Sequence, residues 1–177
     1  DILTDAFAND PACNWVWNDP ALAPQVSRAF FGVFAGMVLE AGEVYIDADQ
    51  QGVALWLPVD PSEQHDSEEL QAALNEAIGP FRERGDIIDA LMAQAHPVHA
   101  VHAYLPFIGV AQRGQGKGVG GALLASRTHY LDEQGLPAYL EATTLEAARL
   151  YERHGFRHME KTIDLPDGPK MYPMWRA

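Results

Sequence analysis

Five glycines fall within eight residues of the stretch Gln112-Arg113-Gly114-Gln115-Gly116-Lys117-Gly118-Val119-Gly120-Gly121. A strand-like run precedes it and a helix-like run follows. Glycines let backbone N–H groups approach an anion closely and take positive φ without strain. The start of a helix adds unpaired N–H groups and the positive end of its dipole, so this stretch is built to hold a phosphate, with Lys117 and Arg113 adding charge. A Walker loop needs Ser or Thr directly after its Lys and an opening Gly six residues before it. Gly118 and Ala111 occupy those two positions, so that reading fails. The dinucleotide fingerprint is met by residues 116–121, with Glu141 twenty residues further on. Yet only 56 residues follow Gly121, and they read as the loop's own helix, one strand, one helix and a hairpin. A doubly wound domain needs more parallel strands than that.

Groups that could move a proton or line a pocket lie on both sides of this loop. Glu141 ends a strand-like run where packing favours an apolar residue, so its carboxylate is a candidate base, with a salt bridge as the competing role. His99 and His102 are rival bases with suitable ordinary pKa values. His96, His99 and His102 recur every third residue, but Pro97 disrupts a shared helical face and no carboxylates complete a metal site, so no metal is expected. Trp15, Trp17 and Trp56 are candidates for the wall of an acceptor pocket, against ordinary core burial.

The chain has 177 residues, 47% of them hydrophobic and 21% charged, enough to bury a core within one domain over residues 1–177. Its formal net charge is −13, which argues against a nucleic-acid partner because phosphates need a basic face. The charge is unevenly spread. Residues 1–99 hold seventeen acids and three bases, whereas residues 100–177 hold eight acids and nine bases. An anionic ligand is therefore expected on the C-terminal half, about 100–177, and an amine-bearing one on the acidic half, about 1–99. No apolar run is long enough to span a bilayer, and no leader pattern opens the chain, so neither membrane nor secretion is expected. Cys13 is the only cysteine, which excludes an internal disulfide and a cysteine-rich zinc site. A reducing cytoplasm is the expected compartment.

The elements that must position these groups follow from periodicity. Ile2–Phe7 has apolar residues at helical spacing, stopped by Asp10-Pro11; a second helix spans about Pro24–Leu39, with Phe30, Phe31, Phe34, Met37 and Val38 inward and Gly42 as its stop. Strands are predicted over Glu43–Asp47 and Val53–Leu57. Asp66-Ser67-Glu68-Glu69 carries capping oxygens and first-turn acids for a helix that continues in two pieces to about Gln94, broken near Gly79-Pro80. Val101–Val110 is strand-like, and Pro106 cannot donate a ladder hydrogen bond, so a bulge or splayed edge is predicted there. A helix over about Val119–Gln134 ends at Gly135. Then come a strand at Pro137–Glu141, a helix at Leu145–His154 closed by Gly155, and a hairpin of Phe156–Ile163 with Lys170–Trp175. The order is α/β, with a right-handed parallel strand–helix–strand unit over residues 101–141.

Two blocks of this C-terminal half together resemble the GNAT superfamily of N-acetyltransferases, most closely its puromycin N-acetyltransferase type. The first is Gln115-Gly116-Lys117-Gly118-Val119-Gly120, which fits the family's Gln/Arg-x-x-Gly-x-Gly/Ala loop; a register from Arg113 also fits. The second is Tyr139-Leu140-Glu141, followed after eight residues by Leu150-Tyr151-Glu152-Arg153-His154-Gly155-Phe156. The resemblance is strong over about 98–175. It implies a mixed, mostly antiparallel central sheet with a parallel, splayed strand pair flanked by helices. It also implies acetyl-coenzyme A as co-substrate, its pyrophosphate on Gln115, Gly116, Lys117, Gly118, Val119 and Gly120. Backbone at Phe107 or Ile108 would meet the thioester, and Ile108 and Val110 would pair with the pantetheine chain. Tyr151 matches the family's general acid, and Glu141 stands beside the cofactor strand as base. Thr144 stands where many members carry an Asn, so that cofactor contact is made differently. Members usually begin with a strand before the first helix, and this sequence starts inside the helix.

The function expected is acetyl-coenzyme A-dependent N-acetylation of a small amine, with an antibiotic or aminonucleoside as the nearest resemblance. A protein N-terminus or lysine is the alternative acceptor, and a non-catalytic acyl-coenzyme A sensor the alternative class. An oligomer is compatible with all of these.

Overall fold

The computed structural model describes residues 1–63 and 68–177. Its strands are β1 (Glu43–Ile46), β2 (Gly52–Val59), β3 (His102–Val110), β4 (Ala138–Ala142), β5 (Arg157–His158), β6 (Ile163–Asp164) and β7 (Lys170–Arg176). The sheet order is β1-β2-β3-β4-β7-β5, with β6 also paired to β7. Every pairing is antiparallel except β3 with β4. That parallel pair is in register only at Ala103–Ala138 and Tyr104–Tyr139, and beyond it the two strands part.

Pro106 sits at a bulge. Leu57 pairs with Tyr104 and Leu55 with Phe107, so β3 uses three residues where β2 uses two. The extra residue turns Tyr104 and Phe107 to the same face despite their odd spacing. Two cores flank the sheet. Helices α6 (Val119–Gln134) and α7 (Leu145–Arg153) cover Ala54, Trp56, Leu105, Leu140 and Met174 on one face. Helices α1 (Ile2–Ala6), α2 (Pro11–Val16), α3 (Ala23–Ala41) and α5 (Arg82–Ala95) cover Val53, Leu55 and Phe107 on the other. Helix α4 (Glu68–Ile78) packs on α3 and leads through a short 3₁₀ turn into α5.

Several boundaries differ from the sequence reading. Asp10-Pro11 stops α1 but also starts α2, because the Asp10 carboxylate accepts from Cys13 N at 2.9 Å and Pro11 occupies the first helical turn. Gly42 ends α3 in extended conformation; what it provides is room, since a Cβ there would lie 2.1 Å from Trp56 O. The first strand of the C-terminal hairpin is broken between β5 and β6. The expected cap at Asp66-Ser67 lies outside the described residues. Among the described residues no helix is long and apolar enough to cross a membrane.

Candidate active site

A cavity of about 230 Å³ opens where β3 and β4 separate. Its walls are mostly apolar: Phe107 from β3, Phe30 and Phe34 from α3, Trp17 after α2, and Ile88 and Met92 from α5. Phe107 is the hub of an aromatic cluster, meeting Phe7, Phe30, Phe31 and Phe34 edge-on at 4.9–5.9 Å between ring centroids. Among the groups able to handle protons that line this space are Glu141, Tyr104 and Tyr151, with Asp89 of α5 also on its wall.

Glu141 follows Tyr139 by two residues, so period-two alternation puts both on the cavity side of β4 while Leu140 faces α6 and α7. Burial pushes the Glu141 carboxyl up to about 7, and the phenols of Tyr104 and Tyr139 beside it pull the other way. Glu141 Oε1 and Tyr139 Oη are both buried without an ordinary hydrogen-bond partner. A carboxylate shielded in this way and titrating near neutrality is suited to take a proton at physiological pH.

Tyr151 reaches the same cavity from the opposite side, through α7, and is 9% exposed. Burial first, and then the charge of Asp10, push its phenol above the ordinary range, so it remains a proton donor. Asp10 links the two halves of the chain. One oxygen caps α2, and the other accepts from the hydroxyl of Thr143, at the junction of β4 and α7. Thr144 then caps α7, its Oγ1 accepting from Ala147 N at 3.0 Å.

The glycine loop stands at the start of α6. Gly116 and Gly118 take φ of +73° and +81°, and a Cβ at either would meet nothing within 4 Å. Gly118 precedes the helix with no side-chain cap, leaving first-turn N–H groups open to a ligand. The loop's side chains bond to protein. Gln115 Nε2 donates to Val110 O at 3.1 Å, Lys117 Nζ to Arg113 O at 2.7 Å and Arg113 to Gln50 O at 2.9 Å. Asp5 braces the loop from α1, accepting from Gln112 N at 2.7 Å. An anion reaching this loop thus meets glycines and backbone. One lone pair of the Val110 carbonyl, expected to face the pantetheine chain, already serves Gln115.

Of the residues singled out from sequence, Phe107, Ile108, Glu141 and Tyr151 come together at the cavity, and residues 115–120 form the loop at α6. The two histidines do not reach it. His102 is 0% exposed, its Nδ1 donating to Ala100 O at 2.9 Å and its Nε2 lying 3.1 Å from His96 Nε2. Desolvation lowers both, His96 to about 4. His99 is exposed and stacks on Trp175. Of the tryptophans only Trp17 lines the cavity. Trp15 donates to Pro166 O and lies under Arg84, and Trp56 faces α6 because its neighbours Leu55 and Leu57 face the other way. Tyr104 and Thr143 had no sequence signal of their own, and Tyr139 was visible only as part of the Tyr139-Leu140-Glu141 block. The register of β3 on β4 sets Tyr104 against Tyr139, alternation along β4 puts Tyr139 on the side of Glu141, and Thr143 lines the cavity just past the strand end.

An acetyltransferase (GNAT) domain model matches residues 80–158. An uncharacterized N-acetyltransferase of Schizosaccharomyces pombe is 25% identical over an alignment covering 96% of this chain and 73% of that protein. A crystal structure from Corynebacterium glutamicum, of histone acetyltransferase HPA2 and related acetyltransferase, is 31% identical, with a TM-score of 0.64 over 99% of this chain and 87% of that one. Arylalkylamine N-acetyltransferase 2 from Aedes aegypti shares the fold at a TM-score of 0.61 and 18% identity, over 99% and 90% of the two chains.

Proposed function

The chain belongs to the GNAT family of acetyltransferases, and from that premise we propose that it moves an acetyl group from acetyl-coenzyme A directly to a small-molecule amine within a ternary complex. The observation that carries this reading is that Glu141 and Tyr151, from different elements, line one largely apolar cavity at the point where β3 and β4 part. Residues 100–177 hold the donor, on the backbone of Gln115, Gly116, Lys117, Gly118, Val119 and Gly120 and along Ile108 and Val110, with Thr144 beside them. Residues 1–99 supply most of the acceptor wall.

Glu141 takes a proton from the amine, directly or through water, and frees its lone pair. The nitrogen then attacks the thioester carbonyl carbon while backbone N–H at Phe107 or Ile108 faces the carbonyl oxygen. As the C–N bond forms and the C–S bond breaks, Tyr151 gives its phenol proton to the departing sulfur, and the acylated nitrogen gives up its extra proton to the phenolate so formed, leaving amide, free thiol and phenol. The apolar wall keeps bulk water from competing with the amine.

A small acceptor is supported by the cavity, whose walls come from helices on several sides. The finer reading, an antibiotic or aminonucleoside amine, is carried by the sequence resemblance. A protein lysine or N-terminus is the second reading, favoured by the Corynebacterium glutamicum relative, named as a histone acetyltransferase. An amine panel that includes puromycin and a histone-tail peptide, incubated with acetyl-coenzyme A and read by free-thiol release, separates them. Turnover with peptides alone would remove the small-molecule reading. Coenzyme A at about a hundred times its dissociation constant should add about 2.7 kcal/mol of stability, and a melting shift with NAD in its place would restore the dinucleotide reading.

A further inference from the structure

We propose that the acceptor carries a second cationic group at the far end of an apolar middle, and that Asp89 at the cavity mouth receives it while Glu141 receives the reacting amine. The acceptor class is then an elongated diamine, or a primary amine with an amidine or guanidine head. This inference rests on the acetyltransferase reading and names its substrate.

The acidity of residues 1–99 looked like a general attraction for amines, but the fold disperses it. Of that half's acids, Asp89 alone among the described residues lines the cavity. It does so through one face of α5, with Gly85, Ile88 and Met92. Glu141 is deep and Asp89 is exposed. The outer end of the cavity is marked by Gln71 and Asn75 of α4, which line both the cavity and an adjoining surface depression. Tyr104 lines the same cavity, its phenol raised by burial and then by the fields of Glu141 and Asp89.

No lysine, arginine or histidine lines this space, and Asp89 makes no ion pair or hydrogen bond among the described residues. Crowding by neighbouring atoms, and then the charge of Asp86, raise the Asp89 carboxyl. An arriving cation offsets the repulsion from Asp86 and favours the ionised carboxylate. A buried and an exposed carboxylate on one largely apolar cavity that no lysine, arginine or histidine lines complement a molecule charged at both ends; Arg82, in the adjoining depression, is paired with Asp86. The apolar stretch between them, with Phe107, Ile88 and Met92, fits methylene groups.

Cadaverine and pentylamine match in length and differ only in the terminal ammonium. With acetyl-coenzyme A, and after the statistical factor of two for its two equivalent amines, the enzyme should prefer cadaverine by roughly two- to fivefold in kcat/KM, the range of a partly exposed ion pair, with the difference in KM. Asp89→Asn should erase the preference, Asp89→Lys should invert it, and added salt should shrink it in the wild type. Equal use of the two amines by the wild type, or a preference undiminished in Asp89→Asn, would overturn the proposal and leave the acetyltransferase reading standing. Failure of every amine to be acetylated while coenzyme A still binds would overturn that reading too.

Discussion

At the start of α6, Gln115, Lys117 and Arg113 are exposed but bonded to protein carbonyls, and between them lies exposed glycine backbone at Gly116 and Gly118. Around Glu141 the reverse holds. There the backbone lies inside strands and helices, and side chains from α2, α3, α5, β3, β4 and α7 face the space. One part of the site is made of main chain and the other of side chains, and they differ in what harms them. A backbone cradle depends on the absence of Cβ atoms and tolerates changes of charge. A side-chain cavity depends on single functional groups held by distant elements.

The sharpest test of the side-chain half is Tyr151→Phe. It removes one hydroxyl and keeps the ring, and kcat should fall by roughly 10²–10⁴, the usual range for a positioned acid, with coenzyme A affinity unchanged. A near-normal kcat, with chemistry shown to be rate-limiting, would reduce Tyr151 to a packing residue. Glu141→Gln should slow the reaction by about 10²-fold near pH 7, a deficit that shrinks as pH rises and more amine arrives deprotonated. In the wild type, kcat/KM should fall below about pH 7, where the Glu141 carboxyl takes up its proton.

The same group has a stability signature. Its folded pKa of about 7 lies above the ordinary 4.5, so the folded state holds the extra proton between those values. The contribution to stability is full below about pH 4.5, declines up to about 7 and is flat above. Glu141→Gln should therefore be more stable than wild type at pH 8, by at most on the order of 3 kcal/mol, and equal to it at pH 4, by urea melts at both values.

The backbone half predicts smaller effects in a fixed order. Gly118→Val forces a β-branched residue to φ of +81°, a strain of about 1–3 kcal/mol, and should weaken coenzyme A binding by roughly ten- to a hundredfold by calorimetry. Lys117→Ala should cost about 1 kcal/mol or less. Equal losses would mean that charge holds the ligand and the contrast between the two halves is wrong. The smallest effect is expected from His99→Ala, an exposed position outside the cavity: kcat should stay within about twofold, as for ordinary surface changes.

This contrast also explains what could be read from the sequence. The loop is contiguous, so its glycines and the helix after it were visible as a pattern, down to α6 spanning Val119–Gln134. The bulge at Pro106 was visible because proline lacks an N–H. The cavity wall was not visible, because it is assembled by register and by helices distant in sequence. Trp56 and His102 look like site residues in one dimension, yet strand alternation points Trp56 at α6, and His102 pairs with His96. Tyr104 and Asp89 reach the cavity through a bulge and a helix face that no local motif announces.

Asp10 and Thr143 stand 133 residues apart in sequence, and that separation bears on how the chain is made. While it emerges from the ribosome, α1, α2 and α3 are complete long before β4 and α7 exist to receive them. Until residue 143 is free, those helices have one another, α4, α5 and the strands β1 to β3 to pack against, but the cavity lacks the wall that β4 and α7 supply. Such long-range closure is slow and leaves apolar surface uncovered in the interval. A nascent chain stalled before β4 should therefore be the species that chaperones hold and proteases cut, and release of the residues from β4 onward should be the step that protects the first helices.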